Sequence, residues 1–483
     1  MKAPGDSITS PHSILGAGGV SNTWKRLRGI CRPFFNQGEF EEANDRLVEH
    51  IIKSVEHALE NSPKGGVDLF QLVNRLVVEA HLLAMLGVDS VEAEGKDIPA
   101  RDYIDSDKIS SKCMADIIDD SLNVKMAEPK FSSVAFAPMM TWLTERLMLP
   151  ADQLGGIENI LAQAQKNGEL STMERLHNCI MYMIALAPSP ASFWTILHVY
   201  KEQEYLKQIR EESDDGKFAT IAMCVKETLR MYAPVPIMVT RYFRTSDSNK
   251  KCPSSLLTGH DKVDLKDGDR VLIPTIILHN DPHLWKNPNK YDPNRFEAPE
   301  NLTLVGRKAT ALLLKGSGVQ PRPRAKSVRS SKSKARYFPF GQGKHTCLGQ
   351  PYASWLTMTI SSTILSNFDM EIEDVDGLLD LECSYQRIKD HVYTFPKSQF
   401  KATITALKDA DTNRESIETR KVNFRNSMMT NMQNFSQFFQ DRDDDSDDDE
   451  SDGEDYTLRS RGGKHSISTK GSIEEGDDEE EDW

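Results

Sequence analysis

The stretch Phe340-Gly341-Gln342-Gly343-Lys344-His345-Thr346-Cys347-Leu348-Gly349 constrains this chain more than any other. Three glycines around one cysteine permit a tight loop, because glycine enters left-handed backbone conformations without the steric penalty other residues carry. Residues 350–364 then read as a helix, so the loop is expected to deliver Cys347 to a helix N-terminus. Exposed N–H groups and the helix dipole favour a sulfur anion there. Spacing alone leaves two readings: a buried structural cysteine, the more frequent case, and a thiolate that ligates a metal.

A chain of 483 residues can bury a large core, and its apolar windows are spread over roughly residues 24–405. The expected organisation is one large domain over residues 1–405, a linker at 406–440 and an acidic, disordered tail at 441–483. That tail holds 19 Asp and Glu against 5 Lys and Arg, which accounts for the whole formal net charge of −14 and leaves residues 1–440 neutral. Net charge therefore gives no support to nucleic-acid binding. Residues 302–336 break the pattern in the opposite sense. They are rich in Gly, Pro and Ser and carry Lys315, Arg322, Arg324, Lys326, Arg329, Lys332, Lys334 and Arg336, a composition expected of a surface loop.

Cys31, Cys113, Cys179, Cys224, Cys252, Cys347 and Cys383 are odd in number and scattered, without Cys-x-x-Cys spacing. They point to a reducing compartment rather than a disulfide framework. No run of 18 consecutive apolar residues occurs, and the first 20 residues lack a basic start and apolar core. No transmembrane segment is expected on that criterion, which places the chain in the cytoplasm or peripherally on a membrane. Residues 131–149, with Phe136, Met139, Met140, Trp142 and Leu143, read as core or channel lining, with a membrane-surface stripe as the alternative.

Helical spacing dominates residues 24–35, 40–59, 69–86, 114–126, 156–165, 171–208 and 218–232, with a break or kink expected near Pro188 and Pro190. Short β-prone pieces follow from 238 to 277, with residues 270–277 as a strand. The fold class is mainly α with small β-sheets.

Phe340, Gly343, Cys347, Gly349 and Ala353 match the F-x-x-G-x-x-x-C-x-G-x-x-x-A signature, and the chain thereby resembles the cytochrome P-450 family. The resemblance covers about residues 16–405. It implies haem b held by the Cys347 thiolate, a donor strong enough to favour O–O cleavage. Phe340 and Gly349 belong to the same cofactor-binding loop. Trp24 and Arg28 resemble the W-x-x-x-R pair, and with Arg241 and His345 they are the implied partners of the haem propionates. Glu227 and Arg230 resemble the E-x-x-R pair, completed by Arg295 in Tyr291-Asp292-Pro293-Asn294-Arg295-Phe296; their implied work is structural.

The implied activity is oxidation of a hydrophobic small molecule, such as a steroid, lipid or secondary metabolite. It would use O2 and electrons from NADPH through a partner reductase, with a setting on the cytosolic face of the endoplasmic reticulum. Two departures matter. Residues 187–194 (Ala-Pro-Ser-Pro-Ala-Ser-Phe-Trp) resemble the oxygen-binding helix of the sterol-7-hydroxylase and prostacyclin-synthase branch, with Pro188 where a proton-organising threonine is usual. Ser189 and Ser192 are the candidate proton-relay hydroxyls in its place. Trp24 also lies close to the start, which reads as a shortened N-terminus lacking the anchor and part of the first sheet. These departures keep two alternatives in view: a reductase-independent isomerase or dehydratase, and a noncatalytic relative.

Overall fold

The computed structural model describes residues 12–14, 17, 21–37, 44–60, 66–88, 90–93, 96–99, 143–183, 185, 187–214, 218–235, 239–242, 255–258, 261–266, 269–296, 337–372 and 401–406. The basic run at 302–336, the linker, the acidic tail, the helix expected at 114–126 and most of the 131–149 stripe lie outside these residues. Ten helices are used below: α1 (Asn22–Gln37), α2 (Asn44–Glu60), α3 (Leu69–Ala80), α4 (Gly156–Lys166), α5 (Thr172–Met183), α6 (Pro188–Lys201), α7 (Gln203–Asp214), α8 (Ala219–Met231), α9 (Thr275–His279) and α10 (Gln350–Asn367).

At the centre α6 packs on α10, with α3 and α8 also against α6 and α2 against α10. Apolar residues occur on every side of α10, the composition of a helix surrounded by protein. Trp355, Leu356, Met358, Ile360 and Ile364 on that helix are buried, as are Phe193 and Trp194 on α6. The hydroxyls distributed among them need local acceptors; Thr357 finds one by donating to the Ala353 carbonyl at 2.7 Å. The α3 start is capped by Asp68, whose carboxylate accepts the Gln71 N–H at 3.1 Å. Beyond Ala80 the helix widens into a π turn over His81–Met85.

Among the described residues the strands are short and all pairings are antiparallel. The sheet of three strands has the order β1 (Val67–Asp68), β9 (Lys401–Ala406), β8 (Phe368–Ile372). Three further two-stranded pairs join β2 (Ser90–Ala93) with β3 (Lys96–Pro99), β4 (Val239–Tyr242) with β7 (Arg270–Ile273), and β5 (Ser255–Thr258) with β6 (Asp261–Asp264). The expected class, mainly helical with small sheets, is the observed one. The strand expected at 270–277 stops at Ile273, because Pro274 turns the chain into the short helix α9.

The long helix expected at 171–208 is three helices. Pro188 sits at the first position of α6, where its missing N–H forfeits no intrahelical bond. The expectation of no membrane-spanning segment is corrected here. Thr172–Lys201 spans 30 residues and holds an 18-residue window of mean hydropathy 1.4, long and apolar enough to cross a membrane. A count of uninterrupted apolar residues restarts at each Ser, His or Thr, whereas averaged hydropathy tolerates them. In the fold 88% of that window is buried inside the protein, as expected of helices occupying the core.

Candidate active site

The cysteine loop is built by its own backbone. Gly341 and Gly343 have φ of 78° and 77°, so the chain reverses where only glycine enters without strain. The Gly341 N–H donates to the Phe338 carbonyl at 3.0 Å and the Cys347 N–H to the Phe340 carbonyl at 2.8 Å, closing the loop on itself. The contribution of Phe340 seen here is thus its carbonyl, with its side chain packed against the core. Gly349 precedes α10 with φ −81°, and a Cβ there would meet Phe35 at 3.7 Å and Cys347 Sγ at 3.9 Å, ordinary contacts. Its lack of a side chain keeps that approach open without being forced by strain.

Cys347 is exposed, whereas Cys31, Cys179 and Cys224 are buried. Enough protein surrounds its thiol that desolvation raises the pKa, while the Gly349 N–H and the Arg28 guanidinium act in the opposite direction. Metal binding selects the deprotonated form, so the two lowering influences are those that a thiolate ligand needs.

Trp24, Arg28 and His345 gather beside it. The His345 ring lies 4.5 Å from that of Trp24, and the Arg28 guanidinium sits 5.4 Å over the same indole. These contacts fasten the cysteine loop to the first turns of α1. Arg241 lies on β4 opposite Val271 of β7. Ser189 and Ser192 are buried in the first turns of α6, and neither hydroxyl has a hydrogen-bond partner, while Thr195 on the same helix donates to the Ala191 carbonyl at 2.7 Å.

Behind the loop, Glu227 and Arg230 are both buried and form a two-pronged pair, with Nε to Oε2 and Nη2 to Oε1 each at 2.9 Å. Arg295 Nε donates to Glu227 Oε1 at 2.9 Å, and the Asp292 N–H donates to the same oxygen at 3.0 Å. The remaining donors of Arg230 reach the His279 carbonyl at 2.8 Å and the Pro288 carbonyl at 2.7 Å. The structure therefore assembles all three charged residues named from sequence.

His279 was not named from sequence, and it connects that cluster to the cysteine loop. Its Nε2 accepts the Phe338 N–H at 3.0 Å, and Phe338 is the residue whose carbonyl holds Gly341. Burial lowers its pKa to about 3, which keeps Nε2 an acceptor. A lone histidine at the end of an apolar run carries no sequence signal of this role.

The donor set fits a haem. One soft, exposed thiol has a guanidinium, an imidazole and an indole gathered beside it, groups of the kind that suit a carboxylate-bearing macrocycle. Among the described residues no group of three or more His, Cys, Asp or Glu side chains offers a bare metal ion a site.

Comparison with known proteins settles the ancestry. The cytochrome P-450 family profile matches residues 11–395. The chain belongs to that family. Similar proteins include 11-oxo-beta-amyrin 30-oxidase of Glycyrrhiza uralensis, 25% identical over 46% of this chain and 38% of that protein. Cytochrome P-450 3A9 of Rattus norvegicus is 23% identical over 72% of this chain and 68% of its own length. Obtusifoliol 14-alpha demethylase of Triticum aestivum is 25% identical over 43% and 42% respectively. The chain thus spans between about two-fifths and two-thirds of the length of these cytochrome P-450 relatives.

Proposed function

We propose that this chain is a haem-thiolate monooxygenase that oxidises a hydrophobic small molecule, with electrons drawn from NADPH through a partner reductase. The observation that carries this reading is the exposed Cys347 thiol, held by a glycine-shaped loop beside Arg28 and His345, in a chain of the cytochrome P-450 family. Haem bound at Cys347 supplies oxygen activation and insertion of one oxygen atom into a C–H bond. The protein's own residues do the rest. Cys347 ligates, Trp24, Arg28, Arg241 and His345 hold the propionates, and the loop around Phe340 and Gly349 sets the direction of the sulfur. Glu227, Arg230 and Arg295 fix the backbone from which that loop departs.

Ser189 and Ser192 are proposed as the hydroxyls that move protons at the start of α6, since both are buried with an unused hydrogen-bonding group. Residues 187–194 support placement near the sterol-7-hydroxylase and prostacyclin-synthase branch. Pro188 at the head of α6 also favours a second reading, rearrangement of an already oxygenated substrate such as a peroxide, which draws no protons from a threonine-centred relay.

Haem-loaded full-length protein tests both. A thiolate-type Soret band in the ferrous–CO spectrum and turnover strictly dependent on NADPH and reductase are the expected results. Turnover of a lipid hydroperoxide without NADPH would transfer the assignment to the second reading. Failure to take up haem near one equivalent per chain would reject both and leave a noncatalytic relative.

A further inference from the structure

We propose that the acidic segment 441–483 of this same chain docks on the basic face formed by α1 and the cysteine loop. Helix α1 contains Lys25, Arg26, Arg28 and Arg32 and no acidic residue. Lys25, Arg28 and Arg32 follow one another at i, i+3 and i+7, so they share one helix face. Lys25 and Arg32 are exposed, and so is Lys344 in the cysteine loop. The Trp24–His345 ring contact and the placement of Arg28 over Trp24 bring that loop alongside this face. Arg26 faces elsewhere and pairs with Glu174 of α5. Among the described residues no carboxylate pairs with Lys25, Arg32 or Lys344.

The chain carries a complementary occupant. Residues 441–483 hold 19 Asp and Glu against 5 Lys and Arg, while the remainder of the chain is formally neutral. Residues 407–440 separate this segment from β9, and a coil of that length has a root-mean-square span of about 30–35 Å. A domain of this size has a radius of gyration of about 21 Å, hence a diameter of roughly 55 Å, and residues 407–440 fully extended span up to ~110 Å, so the segment can reach any face of it, with the linkage raising its local concentration above that of a free partner. An acidic partner in solution must compete with that concentration. Occupation would screen the α1 and Cys347 face from an acidic electron donor; this consequence alone rests on the proposed function, and the docking does not.

Zero-length carbodiimide cross-linking of the full-length chain, mapped by mass spectrometry, tests the docking without reference to activity. Expected are bonds within one chain from Lys25 or Lys344 to carboxylates of 441–483, falling at least about tenfold between about 0.05 and 0.5 M salt as screening shortens. Arg32→Glu should lower those yields severalfold, and K25E/R32E/K344E should speed tryptic cleavage at Arg459, Arg461 and Lys464. Bonds from the segment chiefly to Lys326, Lys332 and Lys334, bonds between chains only, or no bonds at all would each overturn the proposal. The wild-type map decides even where a variant fails to fold.

Discussion

Cys347 and Glu227 show how differently a single side chain can matter at one site. Cys347→Ser removes the soft donor while leaving the loop bonds, which run through backbone atoms, so the fold should survive. The expected outcome is loss of the thiolate-type ferrous–CO band with little change in thermal midpoint; retention of that band would contradict the ligand assignment. Glu227→Ala acts on the fold instead. It strips the buried Arg230 and the neighbouring Arg295 of a shared carboxylate, and breaking a buried pair typically costs about 3–5 kcal/mol. A loss of unfolding free energy of that order in urea melts, with lower yield of haem-loaded protein, is expected. Normal yield and midpoint would show that the cluster does not brace the loop. Gly343→Ala forces a left-handed conformation on an L-residue at φ 77°, a cost of about 1–2 kcal/mol readable by the same melt.

Among the elements, α6 and α9 hold the most informative contrasts. The start of α6 places two buried serines without partners beside a proline that lacks an N–H. S189A/S192A should leave the thermal midpoint unchanged or raise it, because a buried group without a partner adds little or no stability. If the hydroxyls move protons, product formed per NADPH consumed falls in the same variant. Unchanged coupling would return both serines to the core. The break at Pro188 was legible in the sequence because proline's missing donor acts locally. The split of 270–277 into β7 and α9 was not, since Thr275-Ile276-Ile277-Leu278 is an apolar, β-branched run that periodicity alone cannot assign. Charged members of the site were legible because arginine and glutamate stand out at fixed spacing. His279 was silent, because its work depends on a backbone N–H 59 residues away.

At the scale of the whole molecule, the buried histidines set its response to acid. Burial lowers His81, His198 and His279 from 6.5 to about 3. Each is therefore neutral in the fold and protonates more readily once unfolded. Stability is full above about pH 6.5 and is lost as pH falls towards 3, by up to about 2 kcal/mol per site at pH 5. His198 stacks on Tyr291 with ring centroids 4.1 Å apart, so His198→Phe can keep that contact while removing one titrating group. Its acid limb should be shallower in urea melts recorded from pH 7 to 4; an unchanged limb would assign the acid response to other groups. The sheet that pairs Val67 with Ala402 carries a different consequence, one of timing. During synthesis at about 5–20 residues per second, β1 emerges on the order of tens of seconds before its partner exists. The helical contacts around α3 can form during that interval, but this edge of the molecule cannot be closed by any local event. The pairing of β1 therefore waits for the far end of the fold, and nascent chains halted before residue 401 should remain open to proteases at residues 66–68 however well their helices have packed.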